Sequence, residues 1–203
     1  MKIYMIRHGE TNWNTVGKLQ GHSDIPLNEE GRRLARVTSE ALANVEFKRI
    51  YTSPLLRAKE TAMIMKANRE IPVLEEERIQ EISFGIYEGF HCAENYYTVP
   101  DPDFINFFKQ PEKYIAPEGA ETIEALCKRT TDFLQELVHT TAYQNDTILV
   151  STHGAALRGL LSSINMKSVA EFWKGGVHKN CAITILEVTD GKIKLVEEGK
   201  VYY

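Results

Sequence analysis

Two short apolar runs in this chain each lead into a His-Gly pair. Residues 3–6 (Ile-Tyr-Met-Ile) precede Arg7 and His8, and residues 148–150 (Ile-Leu-Val) are followed by Ser-Thr and then His153. Apolar runs without polar alternation are typical of buried strands in a parallel sheet, and ligands of such sheets bind beyond the carboxyl ends of the strands. The two histidines are therefore expected at the same edge of one sheet, close to one ligand.

The residues around this edge are suited to an anion. Gly9 and Gly154 allow the backbone to approach a ligand closely, and the segment after Gly154 is predicted to be a helix whose first N–H groups face an anion. Arg7 and Arg57 supply planar guanidinium groups that pair with phosphate oxygens through two hydrogen bonds each. This combination predicts a site that holds and transfers a phosphoryl group.

Strands and helices alternate along the chain, which indicates an α/β fold. One helix is predicted to begin after its cap Asn28 and to carry an apolar stripe as far as Val45, and the next is predicted to begin at Ser53-Pro54. No linker or repeat interrupts the pattern, so residues 1–203 are predicted to form a single domain. The other predicted elements are strands at 2–7, 48–52, 73–74 and 147–152, a long helix at 120–142, and a hairpin of residues 181–188 and 192–196 around Asp190-Gly191.

Composition excludes several classes of function. The net charge is −4, so no overall basic field attracts nucleic acid or an anionic membrane. The three cysteines form no C-x-x-C pair, which argues against a disulfide framework and a zinc site and predicts reduced thiols in a cytoplasm. The chain contains no apolar stretch long enough for a signal peptide or a membrane span.

A series of motifs in order along the chain resembles the histidine phosphatase superfamily, also called the phosphoglycerate mutase-like family. Each motif alone is weak, and the specificity comes from their common order. The matching segments are Arg7-His8-Gly9-Glu10-Thr11, Trp13-Asn14, Gln20-Gly21, Asp24-Ile25-Pro26-Leu27, residues 53–61, Glu81, residues 84–89 and Ser151-Thr152-His153-Gly154.

The resemblance implies a three-layer α/β/α sandwich with a mostly parallel central sheet. It also implies that His8 is the nucleophile and becomes a phosphohistidine, and that Glu81 is the proton donor. Arg7, Arg57 and His153 would bind the phosphate, and no metal or cofactor would be needed. Further positions implied to line the phosphate site are Asn14, Gln20, Gly21 and Gly154.

Elementary electrostatics agrees with these roles. His8 must be neutral to attack phosphorus, and Arg7 and Arg57 would lower its pKa toward that state. Glu81 must carry a proton to release an alcohol. The competing candidates for this proton donor are Glu88, which also belongs to the motif, and the three glutamates at 75–77. Among the remaining histidines, His139 is expected to be a solvated helix residue, and His91 and His178 are candidates for a substrate pocket, whereas His22 matches no catalytic position.

The first functional hypothesis is a phosphatase of small phosphorylated metabolites that works through a covalent phosphohistidine. The alternative is a cofactor-dependent phosphoglycerate mutase, which residues 84–89 and the lack of paired arginines in 85–118 argue against. Two further alternatives are a hydrolase with metal ligands His8, Glu10 and His153, and a catalytically silent binding module.

The substrate and the assembly stay open. Residues 85–118 are irregular and aromatic and are predicted to form a cap whose aromatic side chains serve the core more than the substrate. Lys109 and Lys113 are candidate contacts for an acidic substrate, and cap aromatics such as Tyr96 and Phe107 for a ring such as that of α-ribazole phosphate. Phe172-Trp173 is either a buried anchor or an interface patch, which leaves a homodimer open. Arg32, Arg33 and Arg36 are assigned to a solvated helix face.

Overall fold

A six-stranded sheet built from both ends of the chain forms the centre of the molecule. The computed structural model describes residues 1–93 and 95–203, so Glu94 of the predicted cap lies outside the described residues. The strands are β1 (Lys2–Arg7), β2 (Arg49–Thr52), β3 (Val73–Glu75), β4 (Cys92–Ala93), β5 (Tyr96–Tyr97), β6 (Thr147–Thr152), β7 (Ile183–Thr189) and β8 (Lys192–Lys200). The helices are α1 (Asn12–Thr15), α2 (Glu29–Ala41), α3 (Leu56–Lys66), α4 (Asn106–Lys109), α5 (Ile123–His139) and α6 (Gly154–Asn165).

The strand order is β3-β2-β6-β1-β7-β8. The first four strands run parallel to one another, β7 is antiparallel to β1, and β8 is antiparallel to β7. Strands β4 and β5 pair separately as a small antiparallel ribbon within residues 85–118. The mostly parallel sheet agrees with the α/β fold predicted from the alternation of elements.

Helices cover both faces of the sheet because alternate strand residues point to opposite sides. Ile3 and Met5 pack on one face with residues of α5 and α6, and Ile6 packs on the other face with residues of α2 and α3. The two apolar clusters confirm the expected three layers. Among the described residues, no helix is long and apolar enough to cross a membrane.

Helix α2 begins where the sequence predicts. The Asn28 side chain accepts a hydrogen bond from the Gly31 N–H, and Glu29 and Glu30 follow in the first turn, where acidic residues are favourable. The prediction that the helix reaches Val45 is wrong, since it ends at Ala41. Val45 still packs on the same apolar cluster from the following turn, so the hydrophobic spacing is satisfied without a helical backbone.

The helix predicted to start at Ser53-Pro54 starts later, at Leu56, and no side chain among the described residues caps it. The Ser53 hydroxyl is engaged by His153 instead, which makes it part of the site. The helix predicted over 120–142 is shorter, from Ile123 to His139, and the Thr122 side chain caps its start by accepting from the Ala125 N–H.

The terminal hairpin is confirmed, with shifted strand ends. Asp190 and Gly191 have φ values of 50° and 72°, the left-handed pair that a two-residue type I′ turn requires. The solvated assignments also agree with the structure: His139 is exposed, and Arg33 pairs with Glu30 on the surface of α2. Arg36 is also exposed, and Arg32 pairs with Glu29 and Glu60.

Candidate active site

The two histidines lie side by side because their strands are neighbours in register. Arg7 at the end of β1 is paired with Thr152 at the end of β6. The His8 N–H donates to the Thr152 carbonyl at 2.8 Å, and the rings of His8 and His153 are 5.1 Å apart between centroids. The sheet edge therefore brings together the two His-Gly pairs as predicted.

His8 is buried and neutral. Burial, followed by the charges of Arg57 and Arg7, holds its pKa well below the ordinary value of 6.5. Its Nδ1 lies 2.7 Å from the Gly9 carbonyl oxygen, and a carbonyl can only accept, so Nδ1 carries the proton. The free lone pair of this imidazole is consequently on Nε2.

His153 is also buried, and its pKa is held well below the ordinary value by burial and by Arg57. Its Nε2 lies 2.7 Å from the Ser53 hydroxyl oxygen. Among the described residues, its Nδ1 has no hydrogen-bond partner. A ligand bound beside His8 could therefore form a hydrogen bond with Nδ1 of His153, which contacts no other polar group among the described residues.

The two arginines are anchored by backbone carbonyls. Arg57 is fully buried and donates to the carbonyls of Ser23 and Gly21 at 2.8 and 2.7 Å. Burial lowers its pKa to about 10, so it stays charged at neutral pH. Arg7 donates to the His178 carbonyl. Within the described chain, the Nε atoms of both arginines are buried and unpaired, which leaves donors for an anion.

Glu81 occupies the amino terminus of α6. One carboxylate oxygen accepts from the N–H groups of Ala156 at 2.9 Å and Ile82 at 3.1 Å, and the other accepts from Ala155 at 3.2 Å. The expectation that these helix N–H groups face the bound anion is therefore wrong for Ala155 and Ala156. The Glu81 carboxylate accepts these hydrogen bonds in place of a ligand, because the positive end of the helix dipole stabilises a negative charge there.

The loop after β1 carries a compact set of hydrogen bonds. Thr11 caps the short helix α1, and its side chain and that of Asn14 close a capping box. The Thr11 hydroxyl lies 3.1 Å from the Gln20 side-chain oxygen, and Asn180 donates to the His8 carbonyl at 3.0 Å. These contacts place Asn14 and Gln20 on the same side of the site as His8.

A pocket of about 130 Å³ joins these groups. Nine residues were predicted for the site, and eight of them line it, whereas His153 lies behind the lining, fully buried against His8. The eight are Arg7, His8, Asn14, Gln20, Gly21, Arg57, Glu81 and Gly154.

Several lining residues were not predicted. Trp173 donates from its indole N–H to the Phe107 carbonyl at 2.6 Å, which joins the segment after α6 to residues 85–118. Lys18 stands two positions before Gln20, so its proximity to a predicted site residue was a signal in the sequence. The unpredicted lining residues are Lys18, Leu19, Phe84, Phe108, Ala155, Trp173 and Val177, and Phe107 had been weighed only as a ring contact.

Other candidates lie outside this lining. Lys109 lines a neighbouring apolar pocket with Cys92 and Tyr97, and Lys113 is exposed. The His91 ring hydrogen-bonds the Val16 carbonyl and packs on Tyr96. Phe104 is buried in the core, as expected for most aromatic residues of 85–118, and Phe107 belongs to the same cluster as well as to the pocket lining.

Two more residues have structural partners. The His178 ring faces Thr184 at 3.2 Å, while its carbonyl holds Arg7. Glu10 accepts from the Asn28 side chain at 2.8 Å. In the described ranges 1–93 and 95–203, no three His, Cys, Asp or Glu side chains gather as metal ligands.

Fold and site together define an α/β phosphoryl-transfer protein, and comparison gives its family. Residues 3–200 match the sequence model of the histidine phosphatase superfamily (branch 1), and the chain belongs to this family. The family and the enzyme class predicted from the sequence, a phosphatase, are therefore confirmed.

Relatives cover nearly the same length. The uncharacterized phosphatase PhoE of Bacillus subtilis is 36% identical over 163 residues, which are 80% of this chain and 77% of that protein. Phosphoserine phosphatase 1 of Hydrogenobacter thermophilus is 30% identical over 87% of this chain and 82% of its own length. The solved structure of Bacillus stearothermophilus YhfR has a TM-score of 0.89 at 33% identity and covers 98% of this chain and 97% of that one.

Proposed function

We propose that this protein hydrolyses phosphate monoesters of small metabolites, and that the phosphoryl group passes transiently through His8. The observation that carries the proposal is the state of His8. Its Nδ1 is tied to the Gly9 carbonyl, and burial with two arginines keeps the ring neutral. A neutral imidazole with a free Nε2 lone pair is the form that attacks phosphorus.

In the first step, Nε2 of His8 forms a bond to phosphorus as the bond to the ester oxygen breaks. Glu81 gives its proton to the departing oxygen, and an alcohol leaves. In the second step, water attacks the phosphohistidine, and the Glu81 carboxylate takes a proton from this water. The N–P bond then breaks and inorganic phosphate is released.

The surrounding donors stabilise the charge that spreads over the three equatorial oxygens. Among the described residues, the Nε atoms of Arg7 and Arg57 and Nδ1 of His153 are buried without hydrogen-bond partners, and in this proposal they donate to the phosphoryl oxygens. Because each donor is held before the substrate arrives, little reorganisation is needed during reaction. Asn14, Gln20, Gly21 and Gly154 complete the phosphoryl end of the pocket in this proposal. No step needs a metal.

The phosphatase is preferred over the phosphoglycerate mutase. A mutase binds a carboxylate-bearing substrate firmly and shields the phosphohistidine from water, and residues 85–118 contain no arginine for this task. The curated relative from H. thermophilus carries the name of a phosphatase.

We further propose one domain over residues 1–203 with a cap at about 85–118. Support comes from the central sheet, which takes β1 from the start of the chain and β8 from its end. A cytoplasmic location is supported by three cysteines that are all free. Phe172 is buried within the chain, which supports its role as a buried anchor.

The decisive experiment measures phosphate release from a panel of phosphorylated metabolites and an aryl phosphate, with and without chelator. We expect His8→Ala to lower kcat by about 10³-fold or more, and an acid-labile phosphoryl adduct to form on His8 of the parent protein. His139→Ala, on the exposed end of α5, is the matched control. Unchanged turnover in the His8→Ala variant would contradict the proposal, as would conversion of 3-phosphoglycerate to its isomer without phosphate release.

A further inference from the structure

Glu81 lies on a stretch of chain that is neither helix nor strand. Residues 80–83 follow a one-turn 3₁₀ helix at 77–79 and have irregular backbone, so no regular ladder of hydrogen bonds holds them in place. A proton donor must nevertheless stand within hydrogen-bond distance of the oxygen that receives its proton. The position of Glu81 therefore depends on contacts that other segments make with this stretch.

Most of these contacts come from one side chain, that of Arg129 in α5. Its Nη1 donates to the carbonyls of Arg78 and Gln80, at 2.8 Å each. Its Nη2 donates to the carbonyl of Glu81 itself at 3.0 Å. A single planar guanidinium thus holds three of the four carbonyls of residues 78–81.

The guanidinium is itself held in one orientation by Glu121. The two carboxylate oxygens accept from Nε and Nη2 of Arg129 at 2.7 Å each, and such a two-bond pairing fixes both planar groups. Together with the three carbonyls, these bonds use all five N–H donors of the arginine. The Glu121 N–H also donates to the Ser83 carbonyl at 3.0 Å, so the partner of Arg129 is tied to the same stretch of chain.

The remaining carbonyl connects the stretch to the sheet. The hydroxyl of Thr152, at the end of β6, donates to the Ile79 carbonyl at 2.8 Å. The Glu81 carbonyl accepts a second hydrogen bond, from Nε2 of the exposed His22 at 2.9 Å. Every carbonyl of residues 78–81 is therefore paired, and Arg129 supplies the largest share of the donors.

We propose that Arg129, oriented by Glu121, is a positioning residue for the proton donor. It holds the backbone of residues 78–81 so that the Glu81 carboxyl reaches the departing oxygen. Arg129 is not among the described residues that line the pocket, so it acts through Glu81 and not on the substrate. The inference rests on the proposed function and assigns it a residue outside the site already described.

The loss of Arg129 should be felt only where the reaction needs a donated proton. An alkyl alcohol is a poor leaving group as its anion and departs with a proton from an acid, whereas nitrophenolate departs without one. A general loss of folding or of phosphate binding would lower the reaction of both kinds of ester alike. The leaving group therefore separates a positioning role from a merely structural one.

The test measures kcat/KM, which reports the steps up to release of the alcohol, for 4-nitrophenyl phosphate and for the alkyl phosphate of the panel that reacts fastest. The variants are Arg129→Met, Arg129→Met combined with Glu121→Met, and Glu81→Gln as the reference for a lost proton donor. The combined variant leaves no unpaired carboxylate behind, which protects the fold. We expect both Arg129 variants to lower kcat/KM about 10-fold or more for the alkyl ester and to leave it nearly unchanged for the nitrophenyl ester.

The matched control is Arg49→Met, because the two ion pairs are equally covered. The side chains of Arg49 and Asp146 are 23% and 18% exposed, and those of Arg129 and Glu121 are 22% and 17% exposed. Arg49 begins β2, at the end of the sheet away from the histidines. Its loss should leave kcat/KM for both esters unchanged.

Three results would overturn the inference: no loss on the alkyl ester in Arg129→Met, equal losses on both esters, or a further loss when Arg129→Met is added to Glu81→Gln, since two residues that act as a unit are not additive. If the parent protein hydrolyses no ester, the proposed function fails. The inference is then judged by the NMR shifts of the Ala155 and Ala156 amides, which donate to Glu81. It requires Arg129→Met to move both shifts, as Glu81→Gln does, and Arg49→Met to leave them in place; unmoved shifts in Arg129→Met would contradict it.

Discussion

At the scale of single residues, the two site histidines expose opposite ring nitrogens because their partners differ. A carbonyl accepts from Nδ1 of His8. The Ser53 hydroxyl accepts the Leu55 N–H at 3.3 Å and faces Nε2 of His153 at 2.7 Å. No other acceptor for the Ser53 proton lies within the part of the chain that the structure describes, so this proton is donated to Nε2. Neutral His153 then keeps its own proton on Nδ1, where it can donate to a phosphoryl oxygen.

Ser53 is therefore predicted to be a positioning residue. Replacing it by alanine frees Nε2 to take the proton, and we expect kcat to fall about 10-fold, the worth of one hydrogen bond to a charged group. The ring ¹⁵N shifts of His153 should at the same time show a mixture of tautomers.

The matched control is Ser151→Ala, because Ser151 is equally buried and its hydroxyl donates to the Ala58 carbonyl. This variant loses a buried hydrogen bond without touching His153. Equal losses of kcat in both variants, with an unchanged tautomer in Ser53→Ala, would reduce Ser53 to a packing role.

At the scale of secondary-structure elements, the site depends on the carboxyl ends of the strands, and the hairpin of β7 and β8 turns at the opposite end. The register pairs Ile6 with Ile183 near His8, and Lys2 with Glu187 toward the turn. The turn residues Asp190 and Gly191 both have positive φ. A substitution in this turn is therefore expected to change the stability of the protein without changing catalysis at the other end of the sheet.

The change Gly191→Ala should destabilise the protein by about 1–2 kcal/mol, because a Cβ is unfavourable in the left-handed region. Chemical denaturation measures this loss, and kcat on the best substrate of the panel should not change. Asp190→Asn keeps a residue type that favours the same turn and should leave both quantities unchanged. A fall in kcat for Gly191→Ala would mean that the hairpin turn and the site are coupled.

At the scale of the whole molecule, three buried histidines link stability to pH. Burial is the main cause of the lowered pKa of His8, His153 and His178, and the pKa of His178 falls to about 4. In the unfolded chain each has a pKa near 6.5. Since the unfolded state binds these protons first, stability is fully present above pH 6.5 and is lost as the pH falls below it.

We therefore expect the free energy of unfolding to decrease steeply between pH 6.5 and about 5, with a limiting slope of about 1.4 kcal/mol per pH unit for each such histidine. Denaturant titrations at several pH values measure the slope. His178→Asn should reduce the slope by one histidine, whereas His139→Asn, on an exposed helix end, should leave it as it is. An unchanged slope in His178→Asn would mean that this ring is protonated in the folded state.

Much of the site could be predicted from sequence because it depends on local rules. A buried strand that ends in His-Gly places its histidine at the sheet edge whatever the rest of the chain does, and so Arg7, His8 and Gly154 were found. Asn28 and the Asp190-Gly191 turn are equally local, since a cap or a type I′ turn needs particular residue types at fixed positions.

The rest needed contacts between distant segments. Ser53 was predicted to cap a helix because Pro54 follows it. Its hydroxyl lies beside His153 because β2 pairs with β6, which the sequence alone does not reveal. The first N–H groups of α6 were predicted to face an anion, but two of them donate to Glu81, which lies more than seventy residues earlier in the chain. Lys18 and Trp173 reach one pocket from opposite parts of the chain for the same reason. Local geometry and residue type thus determined the chemistry of this protein, while the choice of partner for each polar group was decided by tertiary packing, which alone sets the distance between remote side chains.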